Sequence, residues 1–221
     1  MYLRQIGAPD VVQYLLGVLI FWDILYRSQQ GVSLAITEEI WVRNILNIFI
    51  APVRVSELAI ATGIMGMLKS GVSAMLLIGL GALFYNYHGM GNAGFAVAPF
   101  WAAMVVFGWS VGMATTGLIV RFGHSAEALV WGVPFLLQPL SAVFYPVSVL
   151  PEWLQWIAMC LPSTHVFEGM RFALAGNGLH VAHLCWAIGL GLVWLFAGAG
   201  FFGYMVSRAR HKGYLGKLGM E

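Results

Sequence analysis

The most telling stretch of this 221-residue chain runs from Phe144 to Arg171 and reads FYPVSVLPEWLQWIAMCLPSTHVFEGMR. Three prolines interrupt an otherwise apolar sequence, and each removes a backbone donor and clashes with the preceding turn. A plain spanning helix is therefore excluded here. We expect a span that ends near Tyr145, a short amphipathic helix from Pro151 to Cys160, a break at Pro162 and then a further helical piece.

The side chains of this stretch suit a hairpin at a membrane surface. Glu152 follows Pro151, which favours a helix start because the missing N–H costs nothing there and the helix dipole attracts negative charge. Trp153 and Trp156 lie three residues apart and share a face, as side chains at the headgroup level do. An ordinary extracellular loop with interfacial tryptophans explains the same features, so the rest of the chain has to distinguish the two.

Composition places the chain in a membrane. Hydrophobic residues make up 60% of the sequence, charged residues make up 9%, and the mean hydropathy is +0.83. A water-soluble core of this size cannot bury so many apolar side chains, so we predict an integral membrane protein. Long apolar runs favour helices over barrel strands, which predicts a single all-α, polytopic domain over residues 1–221. The candidate spans are residues 11–37, 58–85, 94–120, 126–145 and 181–206.

The placement of Lys and Arg sets the orientation, because short loops rich in these residues stay cytoplasmic. Counting back from a cytoplasmic C-terminus, the segment 146–172 lies outside, the stretch 38–57 lies inside, and the N-terminus lies outside. The basic residues after the last span, which place the C-terminus inside, are Arg208, Arg210, Lys212 and Lys217.

The cytoplasmic stretch reads TEEIWVRNILNIFIAPVRVSEL from Thr37 to Leu58. Thr37 is a candidate N-cap followed by two acids, which predicts a helix over residues 38–50 that ends before Pro52. Polar residues at spacing four predict an amphipathic helix that lies along the membrane. A solvated loop whose charges only set topology is the alternative. The polar positions are Glu39, Arg43 and Asn47.

Charges within the predicted spans need partners, because an unpaired charge near the bilayer centre costs roughly 2.5 to 3.5 kcal/mol. Asp23 precedes Arg27 by four residues, the favourable order for an ion pair on one helix face. A substrate contact is the alternative for this pair. Lys69 is expected near the inner interface, where it can snorkel, or against another helix. Further along the chain, Glu168 and Arg171 are three apart and are expected to form a local pair.

Other reactive side chains predict no catalytic or metal site. Only His180 and His183 among the six histidines have helical spacing, and a zinc site needs more ligands. Cys160 and Cys185 fall towards the outer side, where they either pair or stay reduced. The sequence contains no Walker-type GxxxxGK[ST] motif.

Two motifs together resemble the type-2 ATP-binding-cassette export permeases. The stretch from Glu38 to Glu57, with its Ala-Pro-Val-Arg ending at Arg54, resembles the cytoplasmic coupling region of that family. The proline-broken stretch from Phe144 to Arg171 resembles its external re-entrant signature. Two motifs in this order, roughly a hundred residues apart, are more specific than either alone. The resemblance covers the chain from Val11 onward.

The resemblance implies six spans with both termini cytoplasmic, preceded by an interfacial helix. This sequence starts, at Gly7 to Asp10, just before what resembles the second span, so we expect the usual first span to be absent from it. The resemblance further implies a permease subunit in the inner (plasma) membrane that is not itself an enzyme. ATP and Mg²⁺ would bind to a separate ATP-binding subunit, and a second permease copy, identical or similar, would complete the pathway.

The resemblance also implies roles for individual residues. The first set would transmit closure of the ATPase to the spans, and the second set would gate the outer end of the pathway. The implied coupling residues are Glu38, Glu39, Arg43, Asn47, Pro52 and Arg54. The implied gate residues are Tyr145, Pro146, Pro151, Glu152, Trp153, Pro162, Glu168 and Arg171.

Family members export polysaccharides, lipo-oligosaccharides, drugs and other amphiphiles, so we expect an amphipathic, lipid or saccharide-type substrate. An ion-coupled secondary transporter or channel is an alternative, but such proteins usually show mid-membrane acids or repeated halves, and only Asp23 qualifies. A membrane-bound enzyme would show a cluster of His, Asp or Glu at one interface, which the sequence lacks.

Overall fold

A computed structural model of the protein describes residues 8–42, 44, 55–85, 87, 98–173 and 178–211. These residues are almost entirely helical and contain no strand, which confirms the predicted all-α class. The helices are α1 (Ala8–Trp41), α2 (Val55–Tyr85), α3 (Ala98–Phe122), α4 (Ala128–Leu140), α5 (Glu152–Met159), α6 (Pro162–Phe172) and α7 (Val181–His211).

Three of these helices are long and apolar enough to cross a membrane: α2, α3 and α7. The other two predicted spans correspond to α1 and α4. α1 has 34 residues and carries Asp23 and Arg27 near its middle. α4 has 13 residues with Pro134 and Pro139 inside it, and its length of about 20 Å is short of the roughly 30 Å hydrocarbon core. The chain is thus a polytopic helical membrane protein.

α3 forms the centre of the bundle, and glycines let its neighbours approach it closely. A Cβ atom at Gly108 would lie 2.8 Å from the Leu25 carbonyl oxygen, and one at Gly112 would lie 2.7 Å from that of Gln29. The second contact lies one turn further along both helices than the first, so α1 and α3 run parallel. On the other side of α3, a Cβ at Gly198 of α7 would lie 2.5 Å from a carbonyl oxygen of α3. Only small residues permit such backbone contacts between helices in a membrane.

α2 packs antiparallel against α1. Gly31 and Gly66 are in backbone contact where the two helices cross. Nearer the start of α1, Ser73 Oγ donates a hydrogen bond of 2.6 Å to Asp23 Oδ2. Later residues of α1 therefore contact earlier residues of α2, which is the antiparallel arrangement expected of consecutive spans.

The C-terminal end of α1 differs from the sequence prediction. Thr37 is not an N-cap, because its Oγ1 donates 2.8 Å back to the Ser33 carbonyl inside the helix, which continues to Trp41. Glu38 and Glu39 therefore occupy the last turn of α1 and not the first turn of a new helix. The helix predicted over residues 38–50 does not continue through Asn44, which is not helical, and residues 45–50 lie outside the described residues. The Asn44 backbone N–H instead donates 2.8 Å to the Glu39 carbonyl.

α5 and α6 form a hairpin that folds back along α7. At the tip of the hairpin, Trp194 Nε1 donates 3.0 Å to the Cys160 carbonyl oxygen. At its open end, the rings of Phe172 and His180 meet edge to face at 4.6 Å. Trp194 and His180 are fourteen residues apart, so the hairpin follows α7 for about 20 Å. The preceding helix, α4, ends at Leu140 and not at the predicted Tyr145, because the chain turns at Ser141 and Ala142.

Candidate functional site

The helix α6 buries an unusual number of polar side chains. Pro162 sits at its first turn, where the missing N–H is tolerated, and the helix then presents buried polar residues to its neighbours. Arg171 is the most demanding of them, because only 6% of its side chain is exposed. The buried polar set is Ser163, Thr164, His165 and Arg171.

Arg171 is satisfied by partners from three parts of the chain. Its Nη2 lies 2.9 Å from Glu168 Oε1 within α6. Its Nη1 donates to Tyr14 Oη at 2.9 Å, in α1, and to the Ala142 carbonyl oxygen at 3.0 Å, after α4. Tyr14 Oη in turn donates to the Val143 carbonyl oxygen at 3.4 Å. One guanidinium thus joins α6, α1 and the turn after α4.

The turn that receives Arg171 has a strained backbone. Ala142 adopts a φ of 49°, the left-handed region that non-glycine residues rarely enter. Such conformations persist where surrounding contacts hold them, and here the Ala142 carbonyl accepts from Arg171. Beside it, the hydroxyls of Ser141 and Ser163 lie 2.7 Å apart and link the turn to the start of α6.

Glu168 completes the network on the other side. Its Oε1 accepts the backbone N–H of Val147 at 2.9 Å, which fixes the short 3₁₀ turn Val147–Val149. Burial alone would raise the pKa of Glu168, but the hydrogen bond and charge of Arg171 and the Val147 N–H together hold this pKa below its ordinary value. Burial likewise opposes the charge of Arg171, while Glu168 and Tyr14 raise its pKa. Both groups are therefore charged at neutral pH.

The other predicted gate residues lie outside this network. Tyr145 Oη donates 2.7 Å to the Pro139 carbonyl oxygen and closes the end of α4. Pro146 precedes the 3₁₀ turn, and Pro151 is the N-cap residue of α5. Glu152 and Trp153 are exposed on α5, with 67% of Trp153 accessible. These residues lie on or beside the exposed face of the hairpin, while Glu168 and Arg171 attach it to the bundle.

A pocket of 330 Å³ opens between the hairpin and the start of α7. His165 Nε2 lies 3.0 Å from the Met159 carbonyl oxygen and must donate to it, so its Nδ1 accepts from His183 Nδ1 at 3.3 Å. The imidazole of His165 also stacks on Trp186 at 5.9 Å. Within the described part of the chain, no group of three or more ligating side chains is arranged to hold a metal. Cys160 and Cys185 are free and exposed, so they do not pair.

At the opposite end of α1 lie Glu38 and Glu39, the two predicted coupling residues that the structure describes. Glu38 is exposed, while Glu39 Oε2 accepts 2.7 Å from Asn44 Nδ2. Next to them, Trp41 Nε1 donates 3.2 Å to Glu127 Oε2 in the connection between α3 and α4. The remaining predicted coupling residues, Arg43, Asn47, Pro52 and Arg54, fall outside the described residues.

The middle of α1 carries the charged pair seen in the sequence. Arg27 Nε lies 2.9 Å and 3.1 Å from the two carboxylate oxygens of Asp23. Ser73 of α2 donates to the same carboxylate. The sequence spacing indicated the pair but not the serine, which lies fifty residues away. It likewise gave no sign of Tyr14 as the partner of Arg171, although an arginine among apolar residues signals that partners are needed.

Comparison with known proteins adds the family. No curated protein matches the chain. The family model described as "ABC-2 family transporter protein" matches residues 7–207, which include the helix α1, the central helix α3, the hairpin and most of α7. This match covers nearly the whole sequence. The chain therefore belongs to the ABC-2 family of transporter proteins.

Proposed function

We propose that this protein is the membrane subunit of an ATP-driven exporter and that it forms the export pathway for an amphipathic, lipid or saccharide-type substrate. Family membership makes it an ABC transporter permease, a multi-pass membrane component that works with an ATP-binding partner. Export, the substrate type and direct coupling to ATP hydrolysis go beyond that membership. In this proposal, ATP and Mg²⁺ bind to the partner, and this chain supplies neither a nucleotide site nor catalytic residues.

The observation that carries the proposal is the continuity of α1. This helix runs without a break from Tyr14, in the Arg171 network, to Trp41, beside the candidate coupling residues Glu38 and Glu39. Tyr14 and Trp41 are twenty-seven residues apart, about 40 Å along the axis. An unbroken helix transmits displacement of one end to the other, because bending it requires breaking backbone hydrogen bonds. A displacement of the end that carries Glu38 and Glu39 would therefore move the hairpin as well.

The arrangement of the helices also supports assembly with a second permease. α3 is mostly buried, whereas α2 and α7 each leave most of their apolar surface exposed. A single bundle with one central helix encloses no pathway of its own, so we propose that two copies, identical or similar, form it between them. We further propose that the subunit resides in the inner (plasma) membrane with its C-terminus in the cytoplasm.

Coupling is tested in proteoliposomes that contain the full-length protein reconstituted with its ATP-binding partner. Glu39→Ala is expected to reduce the stimulation of ATP hydrolysis by about tenfold if the acid transmits an interaction worth about 1.4 kcal/mol. Arg208→Ala, a charge at the end of α7 that contacts Tyr204, is the matched control and should leave stimulation unchanged. Full stimulation in Glu39→Ala, with the complex intact, contradicts the coupling role.

Topology provides a second test. In a Cys185→Ser background, an impermeant maleimide should label the native Cys160 from outside the cell. A cysteine at position 38, in Glu38→Cys with Cys160→Ser, should be labelled only after the membrane is opened. Both residues are exposed, so the reagent can reach them on whichever side they lie. Labelling of both from the same side overturns the proposed transmission across the membrane.

A further inference from the structure

Three charged side chains lie near the middle of the sequences of α1 and α2. Asp23 and Arg27 form their ion pair on α1, and the Arg27 side chain remains 46% exposed. Lys69 of α2 is exposed and forms no ion pair or hydrogen bond with the described residues. The three charges sum to one positive charge, which has no anion of its own in the described chain.

The register of the two helices brings both cations to the same groove. Ser73 binds Asp23 across the antiparallel pair. Arg27 lies one turn beyond Asp23 on α1, and Lys69 lies one turn before Ser73 on α2. Because the helices are antiparallel, these two steps point in the same direction. Residues four apart also share a helix face, so Arg27 and Lys69 flank the groove at one depth.

Lys69 lies near the middle of α2, and a span centred in the bilayer places it near the membrane midplane. It is the fifteenth of the 31 residues of α2, so about 21 Å of helix precedes it and about 24 Å follows it. With a hydrocarbon core of roughly 30 Å, a central lysine cannot snorkel fully to either surface. An exposed charge at this depth requires a polar partner.

The described part of a second copy supplies no such partner. Asp23 is the only acid at this depth among the described residues, and it is already bound to Arg27 and Ser73. In a homodimer, each copy would bring a further Lys69 and double the excess positive charge. The other acids in the described spans lie at helix ends, as Glu57 and Glu127 do.

We propose that Arg27 and Lys69 form a binding site for the anionic group, a phosphate or carboxylate, of an amphiphile held in the bilayer. Arg27 uses its Nε for Asp23, which leaves the Nη donors of the guanidinium for an oxyanion. Lys69 contributes a second cation from the facing helix. The inference rests on the proposed function and narrows its substrate class to anionic amphiphiles.

The test measures lipid retention by the full-length protein in detergent, using native mass spectrometry. The probes are dioleoyl phosphatidylglycerol and dioleoyl phosphatidylcholine, which share their chains and differ in net charge. The protein should retain the anionic lipid about tenfold more strongly, the range expected of charge-assisted hydrogen bonds. Lys69→Met should remove most of that preference, and Lys69→Arg should keep it. Arg208→Met, which removes an exposed cation elsewhere, is the matched control and should also keep it.

Lys69 is exposed and makes no hydrogen bond or ion pair with the described residues, so Lys69→Met should fold, and its thermal midpoint checks this directly. Equal retention of the two lipids by the unmodified protein overturns the inference and would indicate that a protein partner neutralises the site. An anionic preference that survives in Lys69→Met also overturns it. Inorganic phosphate distinguishes the ligand source: if it leaves the lipid bound, the site takes a lipid headgroup, and if it displaces the lipid, the same cations accept a free anion.

This measurement needs no ATPase. A failed lipid preference alongside normal stimulation of ATP hydrolysis rejects the anion site alone. Conversely, if Glu39→Ala keeps full stimulation of ATP hydrolysis while the lipid preference is intact, the proposed coupling is rejected and the anion site stands.

Discussion

Arg171 Nη1 and Tyr14 Oη form a hydrogen bond of 2.9 Å across 157 residues of sequence. This contact attaches the α5–α6 hairpin to the first part of α1, whose other end carries Glu38 and Glu39. The same guanidinium pairs with Glu168 and donates a hydrogen bond to the carbonyl oxygen of the strained residue Ala142. The hairpin and α1 are consequently held together by one buried polar network, and movement of either element has to carry the network with it or break it.

Replacing Arg171 should loosen this junction. Arg171→Met leaves the partly buried Glu168 carboxylate without its counter-ion, and breaking a buried pair in this way typically costs about 3 to 5 kcal/mol. We expect the free energy of unfolding in mixed detergent micelles to fall by about that amount. Tyr14→Phe removes only one hydroxyl and should cost about 1 kcal/mol.

The control for this pair is Arg208→Met, because Arg208 is an exposed arginine whose hydrogen bond and ring contact among the described residues are both to Tyr204, one turn away. It should change the free energy of unfolding by less than about 0.5 kcal/mol. A double-mutant cycle between positions 14 and 171 then isolates their coupling. If the two substitutions are additive, the hydrogen bond does not couple the hairpin to α1.

Glu168 should make the stability of the hairpin depend on pH. Because the folded-state pKa of Glu168 lies below its ordinary value of 4.5, the unfolded chain binds the proton first as the pH falls. The stabilising contribution is therefore complete at neutral pH and is lost as the pH drops below 4.5 through the folded pKa. Thermal midpoints measured from neutral to acidic pH should show this loss.

Glu168→Gln provides the comparison, since the amide has no proton to gain in this range. The unmodified protein should lose more stability than Glu168→Gln between neutral pH and pH values below 4.5. Parallel curves for the two proteins would mean that the carboxylate contributes nothing specific to folding.

Where α1 and α2 cross, Gly31 should not tolerate replacement by a residue with a side chain. In Gly31→Ala, the new methyl group meets the backbone of Gly66, which cannot move aside as a side chain could. We expect a loss of about 1 to 3 kcal/mol in the free energy of unfolding, typical of overpacking. Gly79→Ala is the control in the facing helix, because nothing lies within 4 Å of its Cβ position. It should be neutral or slightly stabilising, as alanine favours a helix over glycine.

The tip of the hairpin should depend on Trp194. In the unmodified protein the ring centroids of Trp194 and Phe107 lie 5.7 Å apart. Trp194→Phe keeps an aromatic ring against Phe107 but leaves the Cys160 carbonyl oxygen without its donor. We expect a destabilisation of about 1 kcal/mol and faster maleimide labelling of Cys160. Trp156→Phe, on the exposed face of α5 with 79% of its surface accessible, should change neither quantity. Unchanged labelling in Trp194→Phe argues against this hydrogen bond as the anchor of the tip.

Several features were predictable from the sequence because they depend on local chemistry. Apolar runs indicated the membrane class, and the prolines at 151 and 162 indicated the two short helices, which the structure places at Glu152–Met159 and Pro162–Phe172. Residue spacing indicated the pairs of Asp23 with Arg27 and of Glu168 with Arg171. In each case the determining residues lie within one or two turns of each other.

The errors arose where tertiary contacts compete with local signals. Thr37 has the chemistry of an N-cap, yet it lies inside α1 and bonds back to Ser33. α4 ends early because the chain turns at Ala142, whose φ of 49° is held by contacts from distant parts of the sequence. A local preference worth about 1 kcal/mol is easily outweighed by packing.

The sequence by itself determined that this is a helical membrane protein with a proline-broken hairpin near its C-terminal end, since hydrophobicity and proline act locally. Only the tertiary structure decided that the hairpin is tied to Tyr14 and that Ser73 of α2 binds Asp23 of α1. The reason is physical: helix spacing reports which side chains share a face of one helix, whereas the partner across a helix contact is set by packing between glycines such as Gly31 and Gly66, which no single-helix pattern encodes.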